Sequence, residues 1–157
     1  MNSVKKLTVS GIMIATYVNL MYLSQFLSFG QFRIRIADCA YSLCYVYPFL
    51  VVPMGLANAM SCLFAGGLGP VDMFGWTLAG TLTAAGVCLI KRLRLGKWLT
   101  MVPVIIVPGL SVPIWWSYLL HIPYPVIAFG ICLEQIIPAL MGVLLLEKLE
   151  HKLPRLQ

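Results

Sequence analysis

The chain has 157 residues, 61% hydrophobic and 10% charged, with a net charge of +6 and a mean hydropathy of +0.92. A soluble domain carries roughly 25% charged residues to face water, so this composition excludes a water-soluble globule and predicts an exterior that faces lipid. In lipid every backbone polar group must be satisfied internally, which leaves helices or closed barrels; the long unbroken apolar runs lack a barrel's alternation, and the class is all-α membrane protein.

The chain opens with Lys5 and Lys6 ahead of an apolar stretch that runs to Leu27. That stretch is longer than the apolar core of a secretory leader and no small-residue cleavage site follows it, so it reads as the first membrane span. Six spans are predicted, at approximately residues 7–27, 38–52, 54–66, 71–90, 98–119 and 124–146, in a single membrane domain over 1–157. The second and third are short and are separated only by the Pro48 to Pro53 stretch, so one kinked helix is an alternative.

Charge decides between five and six. Lys5, Lys6, Lys91, Arg92, Arg94, Lys97, Lys148, Lys152 and Arg155 all fall on one side of a six-helix chain. The positive-inside rule makes that side cytoplasmic, along with both termini. The placement also accounts for the basic charge without nucleic acid. Arg33 and Arg35 are the exceptions, outside and close to Asp38, where a salt bridge and a functional role both fit.

Small residues recur at spacings that let helices approach closely: Gly11 and Ala15; Ala57, Ser61 and Ala65; Gly75, Ala79 and Thr83, with Gly80 and Ala84 beside them. Internal packing is the default explanation. The fifth span holds Pro103, Pro108 and Pro113, expected to kink or locally break it. Trp115, Trp116, Tyr118 and Tyr124 cluster near its outer end, either as an interfacial aromatic belt or as a stacking wall for a flat ligand. The five cysteines form no CxxC pair and no Cys/His metal spacing, and read as small buried apolar side chains.

Glu147 and Glu150 have Lys148 and Lys152 as helix neighbours. Asp38, Asp72 and Glu134 do not, and all three fall in the outer half. A charged side chain at the bilayer centre costs about 2.5–3.5 kcal/mol on insertion scales and marks a cavity or a partner. N-capping would account for Asp38 and Asp72, and an ion pair with Arg35 for Glu134. Asn58 and Gln135 add neutral hydrogen-bonding groups that can bridge helices. Together these residues predict a polar pocket open to the outer face and roofed by the 28–37 loop. Paired catalytic groups such as HExxH or Ser/Lys are absent, and His121 reads as a solvent-facing loop residue, so no enzyme is expected.

At 28–50, SFGQFRIRIADCAYSLCYVYPFL, the sequence resembles the QueT-type queuosine-precursor transporters, substrate-binding S-components of energy-coupling factor (ECF) transporters. Phe29-Gly30 and Arg35-Ile36-Ala37-Asp38 stand where that family has an FG and then an R-x-S-E-A-like helix start. GGLGPVDMFG at 66–75 is similar to its glycine-rich turn and aspartate before span four, and Glu134 in LEQ matches a glutamate of its last helix. Asp38 replaces the usual glutamate and is shorter by one methylene, and Ala37 stands for the usual serine. The ligand is then a relative of the usual one, such as queuine or the queuosine nucleoside.

The resemblance implies a six-helix bundle of the S-component type in a bacterial cell membrane, with no cofactor and no metal. It implies a deazaguanine ligand. Glu134 would take the donor edge of the base, Asp38 or Asp72 further donors, and Trp76 or Trp115 the ring face, with Arg35 and Asn58 in the same pocket. A carboxylate accepts adjacent N–H donors in bidentate fashion, and aromatic walls stack on bases. The chain has no Gly-x-x-x-x-Gly-Lys-Ser/Thr phosphate loop. The resemblance therefore assigns energy coupling to two cytoplasmic ATPases and a scaffold membrane subunit, which would dock on an Ala-x-x-x-Ala-like face occupied here by Gly11 and Ala15.

Overall fold

The computed structural model describes residues 3–25, 35–64 and 68–152, and all their regular structure is helical. Six helices follow one another: α1 (Ser3–Gln25), α2 (Ile36–Val46), α3 (Pro48–Phe64), α4 (Pro70–Arg92), α5 (Lys97–Leu120) and α6 (Tyr124–Lys152). Four of them, α1, α4, α5 and α6, are long and apolar enough to cross a membrane. Arg33, Phe29-Gly30, most of the 28–37 loop, Ala65, Gly66 and Arg155 lie outside the described residues, as do the side chains of Glu150 and Lys152.

The predicted second and third spans differ most from what is observed. α2 is a 3-10 helix over Ile36–Ser42 and α-helical only over Leu43–Val46. With rises of 2.0 and 1.5 Å per residue it reaches about 20 Å, and α3 about 27 Å, against a hydrocarbon core of about 30 Å. The break falls at Tyr47 (φ −120°, ψ 85°), earlier than the predicted boundary. Pro48 explains it, since proline disfavours the helical region for the residue before it. Pro53 stays inside the first α-helical turn of α3, where its missing N–H costs little. A single kinked helix is ruled out, because Tyr41 of α2 touches Asn58 of α3 and the chain must double back between them.

The prolines of the fifth span do not break it. α5 is continuous through Pro108 and Pro113, with Pro103 near its start. These residues are buried in the bundle, with Pro103 against Gly86 of α4 and Gly109 against Cys132 of α6. Packing from neighbouring helices holds the segment helical despite the lost donors.

Small residues set how closely the helices approach. Ala57 and Ser61 of α3 and Ala79, Gly80, Thr83 and Ala84 of α4 are all buried. A Cβ on Gly80 would overlap the Asn58 amide and lie 2.7 Å from the Tyr41 hydroxyl. Internal packing therefore accounts for these stripes. Gly11 differs, with nothing within 4 Å of a Cβ placed on it, and Ala15 is exposed on the same helix. Large apolar side chains such as Leu7, Phe74, Leu78, Ile114 and Phe129 cover the exterior, as expected of a lipid-facing surface. All five cysteines are free, Cys44 buried and the other four partly so.

The basic turn between α4 and α5 has a neighbour from α2. Lys91 donates to the carbonyl of Val46 at 3.2 Å, so the α2–α3 turn and the α4 C-terminus share one end of the bundle. The polar residues singled out from the sequence gather towards the other end.

Candidate functional site

A polar cluster joins α1, α2, α3 and α6 in the middle of an apolar bundle. Asp38 is 1% exposed. Its Oδ1 accepts from the Tyr17 hydroxyl at 2.6 Å and its Oδ2 from Gln135 Nε2 at 2.6 Å. Arg35 Nε lies 3.6 Å from Asp38 Oδ2. Asn58, fully buried, accepts at Oδ1 from Arg35 Nη2 at 3.0 Å, with the Tyr17 hydroxyl 3.1 Å away. Its Nδ2 donates to the Tyr41 hydroxyl and to the Met54 carbonyl, the latter at 3.0 Å.

The 3-10 start of α2 brings Asp38 inward. Arg35 is the N-cap residue and makes no side-chain cap, and Asp38 points its carboxylate at other helices. The N-capping explanation for Asp38 is thereby replaced by a buried ion pair with two short charge-assisted hydrogen bonds.

Asp72 is not an N-cap either. Gly69 holds that position, at φ +112°, which suits glycine alone. Asp72 lies three residues on and reaches back to accept from the Leu68 N–H at 3.1 Å through Oδ2. Its Oδ1 accepts from both indoles of α5, Trp115 at 2.9 Å and Trp116 at 2.7 Å. One carboxylate thus closes the α4 N-terminus and pins two tryptophans. Gly75, one turn on, leaves room for the Trp115 ring, which a Cβ there would overlap.

Trp76 connects the two clusters. Both tryptophans of α5 meet it edge-on, with centroids 6.4 Å (Trp115) and 6.1 Å (Trp116) away. The Arg35 guanidinium carbon sits 3.7 Å from the Trp76 ring centroid, at cation–π distance. The two readings of the aromatic group divide: Trp115 and Trp116 turn inward, while Tyr118 is 82% exposed and Tyr124 lies at the rim with its hydroxyl donating to the Leu110 carbonyl.

Of the sequence candidates, Arg35, Asp38, Asn58 and Trp76 are brought together, with Asp72 and Trp115 joined to them through the tryptophan contacts. Glu134 flanks the buried stripe of α6 formed by Ile131, Gln135, Pro138 and Ala139, and is partly exposed. On α6 it is Gln135, the next residue, that reaches Asp38. The sequence reading missed Tyr17 and Tyr41. Tyr17 carried a signal, as a tyrosine in the middle of an apolar span and away from the interface that tyrosine prefers; Tyr41, at the start of the predicted second span, carried none. Among the described residues no group of three His, Cys, Asp or Glu side chains suits a metal ion.

The arrangement pairs an aromatic face with a buried carboxylate and an amide oxygen, which suits a planar group carrying N–H donors. Two buried atoms, Arg35 Nε and Gln135 Oε1, have no hydrogen-bond partner among the described residues.

A family model described as QueT transporter matches residues 7–151. No curated protein and no solved structure matches the chain. The match spans nearly the whole sequence, and the chain belongs to the QueT transporter family, as a multi-pass helical membrane protein.

Proposed function

From that membership we propose that this chain is the substrate-binding S-component of an ECF-type importer and captures a queuosine precursor or related deazaguanine from outside the cell. The observation that carries the reading is the stack of Arg35 on Trp76 beside the buried Asp38 and Asn58, a planar-donor site inside an apolar bundle. In this reading all six helices span, α2 and α3 as a short antiparallel pair, and both termini are cytoplasmic. The end holding Lys91, Arg92, Arg94 and Lys97 then faces the cytoplasm, and Trp76, Asp72 and Asp38 lie towards the outside.

Asp38, Asn58 and Trp76 would bind the base, with Arg35 in the same place. Trp115 would complete the aromatic wall, held by Asp72, and Glu134 would meet the base edge or a cationic substituent from the flank of the site. Gly11 and Ala15 present an open, small-residue face of α1, which suits docking on a scaffold membrane subunit coupled to two ATPases. No chemistry on the substrate is required. Purified protein should be stabilised against heat by a deazaguanine base or nucleoside. Absence of any shift across queuosine-pathway bases and nucleosides would remove this ligand class.

A structural subunit without its own ligand is the competing reading, favoured by the internal partners that Asp38 and Asp72 already have. Unchanged uptake by the assembled transporter carrying Asp38→Asn and Glu134→Gln would uphold it.

A further inference from the structure

The Arg35 side chain occupies the middle of the site. It covers the Trp76 face at 3.7 Å, lies 3.6 Å from the Asp38 carboxylate, and donates to Asn58 Oδ1 at 3.0 Å and the Tyr17 hydroxyl at 3.4 Å. A guanidinium is a planar N–C–N unit with N–H donors along its edge and a face that stacks on aromatic rings. A guanine-type base has the same unit, its exocyclic amine and ring N–H attached to one carbon. The two cannot occupy the Trp76 face together.

We propose that Arg35 is an internal stand-in for the ligand: a planar base with an N–C–N donor edge enters by displacing Arg35 from Trp76 and Asp38, and this exchange sets specificity. The proposal rests on the ligand class given above and adds how the site is held before binding and what it selects.

The geometry favours exchange over permanent pairing. The contact with Asp38 is longer than a hydrogen bond, and Arg35 Nε is buried with no acceptor among the described residues. A base edge would present two parallel N–H donors to the same carboxylate, the stronger bidentate arrangement. Arg35 belongs to α2 only as its N-cap, and its side chain keeps 12% exposure, so it can withdraw without unpacking a helix. Asp38 keeps Tyr17 and Gln135 throughout, so the carboxylate stays oriented for the incoming donors. A base lacking the exocyclic amine would leave one half of that acceptor pair unmet and could not compensate for the lost arginine.

The test uses the purified full chain as wild type, Arg35→Ala, Arg35→Gln and the Arg35→Ala/Asp38→Asn double variant. Each is titrated with deazaguanine, with hypoxanthine (which lacks the exocyclic amine) and with methylguanidine, read by tryptophan fluorescence and heat stability. Removing the stand-in should tighten deazaguanine binding by about tenfold or more, because no competing conformation has to be displaced. Methylguanidine should bind Arg35→Ala, compete with deazaguanine there, and fail on wild type and on the double variant. Hypoxanthine should bind none of them. If Arg35→Ala does not fold, Arg35→Gln, which keeps a polar side chain but lacks the guanidinium, is read in its place.

Deazaguanine binding that is unchanged or weaker in the variant would overturn the stand-in while leaving the proposed function intact, as would hypoxanthine binding as well as deazaguanine. Methylguanidine binding to Arg35→Ala with no deazaguanine binding to any form would keep the stand-in and remove the deazaguanine ligand. Failure of both to bind any form would overturn both.

Discussion

Replacing Asp38 by asparagine separates charge from shape, and its consequences follow from the contacts around one carboxylate. Asparagine can still accept from the Tyr17 hydroxyl, now as a neutral acceptor with about half the strength of a charge-assisted one. Its new N–H₂ faces Gln135 Nε2, a clash of donors. Turning the Gln135 amide over relieves it, since Oε1 has no described partner to lose. The term that cannot be recovered is the ion pair. The side chains of Arg35 and Asp38 are 12% and 2% exposed, and removing one partner of a buried pair costs about 3–5 kcal/mol. Arg35 keeps Trp76 and Asn58 and can withdraw from the site, which brings the expected loss below that range, to about 1–3 kcal/mol. Unfolding of the purified protein in mixed detergent micelles should show it. The Arg35→Gln/Asp38→Asn double variant, which buries no unpaired charge, should recover at least half of the loss. Asp38→Asn within about 0.5 kcal/mol of wild type, or a double variant destabilised by the sum of the two single changes, would refute the buried-pair reasoning.

Other expectations follow from neighbouring contacts. Trp116→Phe removes one of two indole donors to Asp72 and should cost about 1–3 kcal/mol; Asp72→Asn can still accept from the indoles but sets its N–H₂ against the Leu68 N–H and should cost at least as much, and a smaller loss in unfolding measurements would contradict the bracing role. Gly80→Ala sets a methyl against Asn58 and Tyr41 and should destabilise by about 1–3 kcal/mol or more, whereas Gly11→Ala has open space and should be tolerated in the same assay. Gly11→Leu should abolish uptake by the assembled transporter while leaving heat stability and ligand binding of the isolated chain unchanged. Retained uptake would remove α1 as the docking face. Glu134→Gln should weaken deazaguanine binding, and unaltered affinity would take Glu134 out of the site.

Much of the molecule was legible in the sequence, because bilayer constraints act on composition directly. Long apolar runs can only be helices in lipid, so the class and the four long helices needed no tertiary information. The small-residue stripes of α3 and α4 were readable as packing for the same reason. Local sequence also put Asp38, Asp72 and Glu134 in the outer half of the spans, and Asp38 and Asp72 are buried in polar contacts.

What the sequence could not decide was which polar group meets which. Asp38 and Asp72 both read as helix caps, since an aspartate at a helix start is ambiguous until its surroundings are known. The packing of α1 and α6 on α2 turns Asp38 towards Tyr17 and Gln135, and the approach of α5 gives Asp72 two indole donors. Gln135 instead of Glu134 reaches Asp38 because successive residues on a helix point about 100° apart. The two-part α2, the stack of Arg35 on Trp76 and the inward turn of Trp115 and Trp116 likewise depend on contacts between residues distant in the chain. Sequence determined that polar groups would be buried in lipid and must find partners; only the tertiary structure chose the partners, because each choice belongs to helices that meet side by side and not to any one of them.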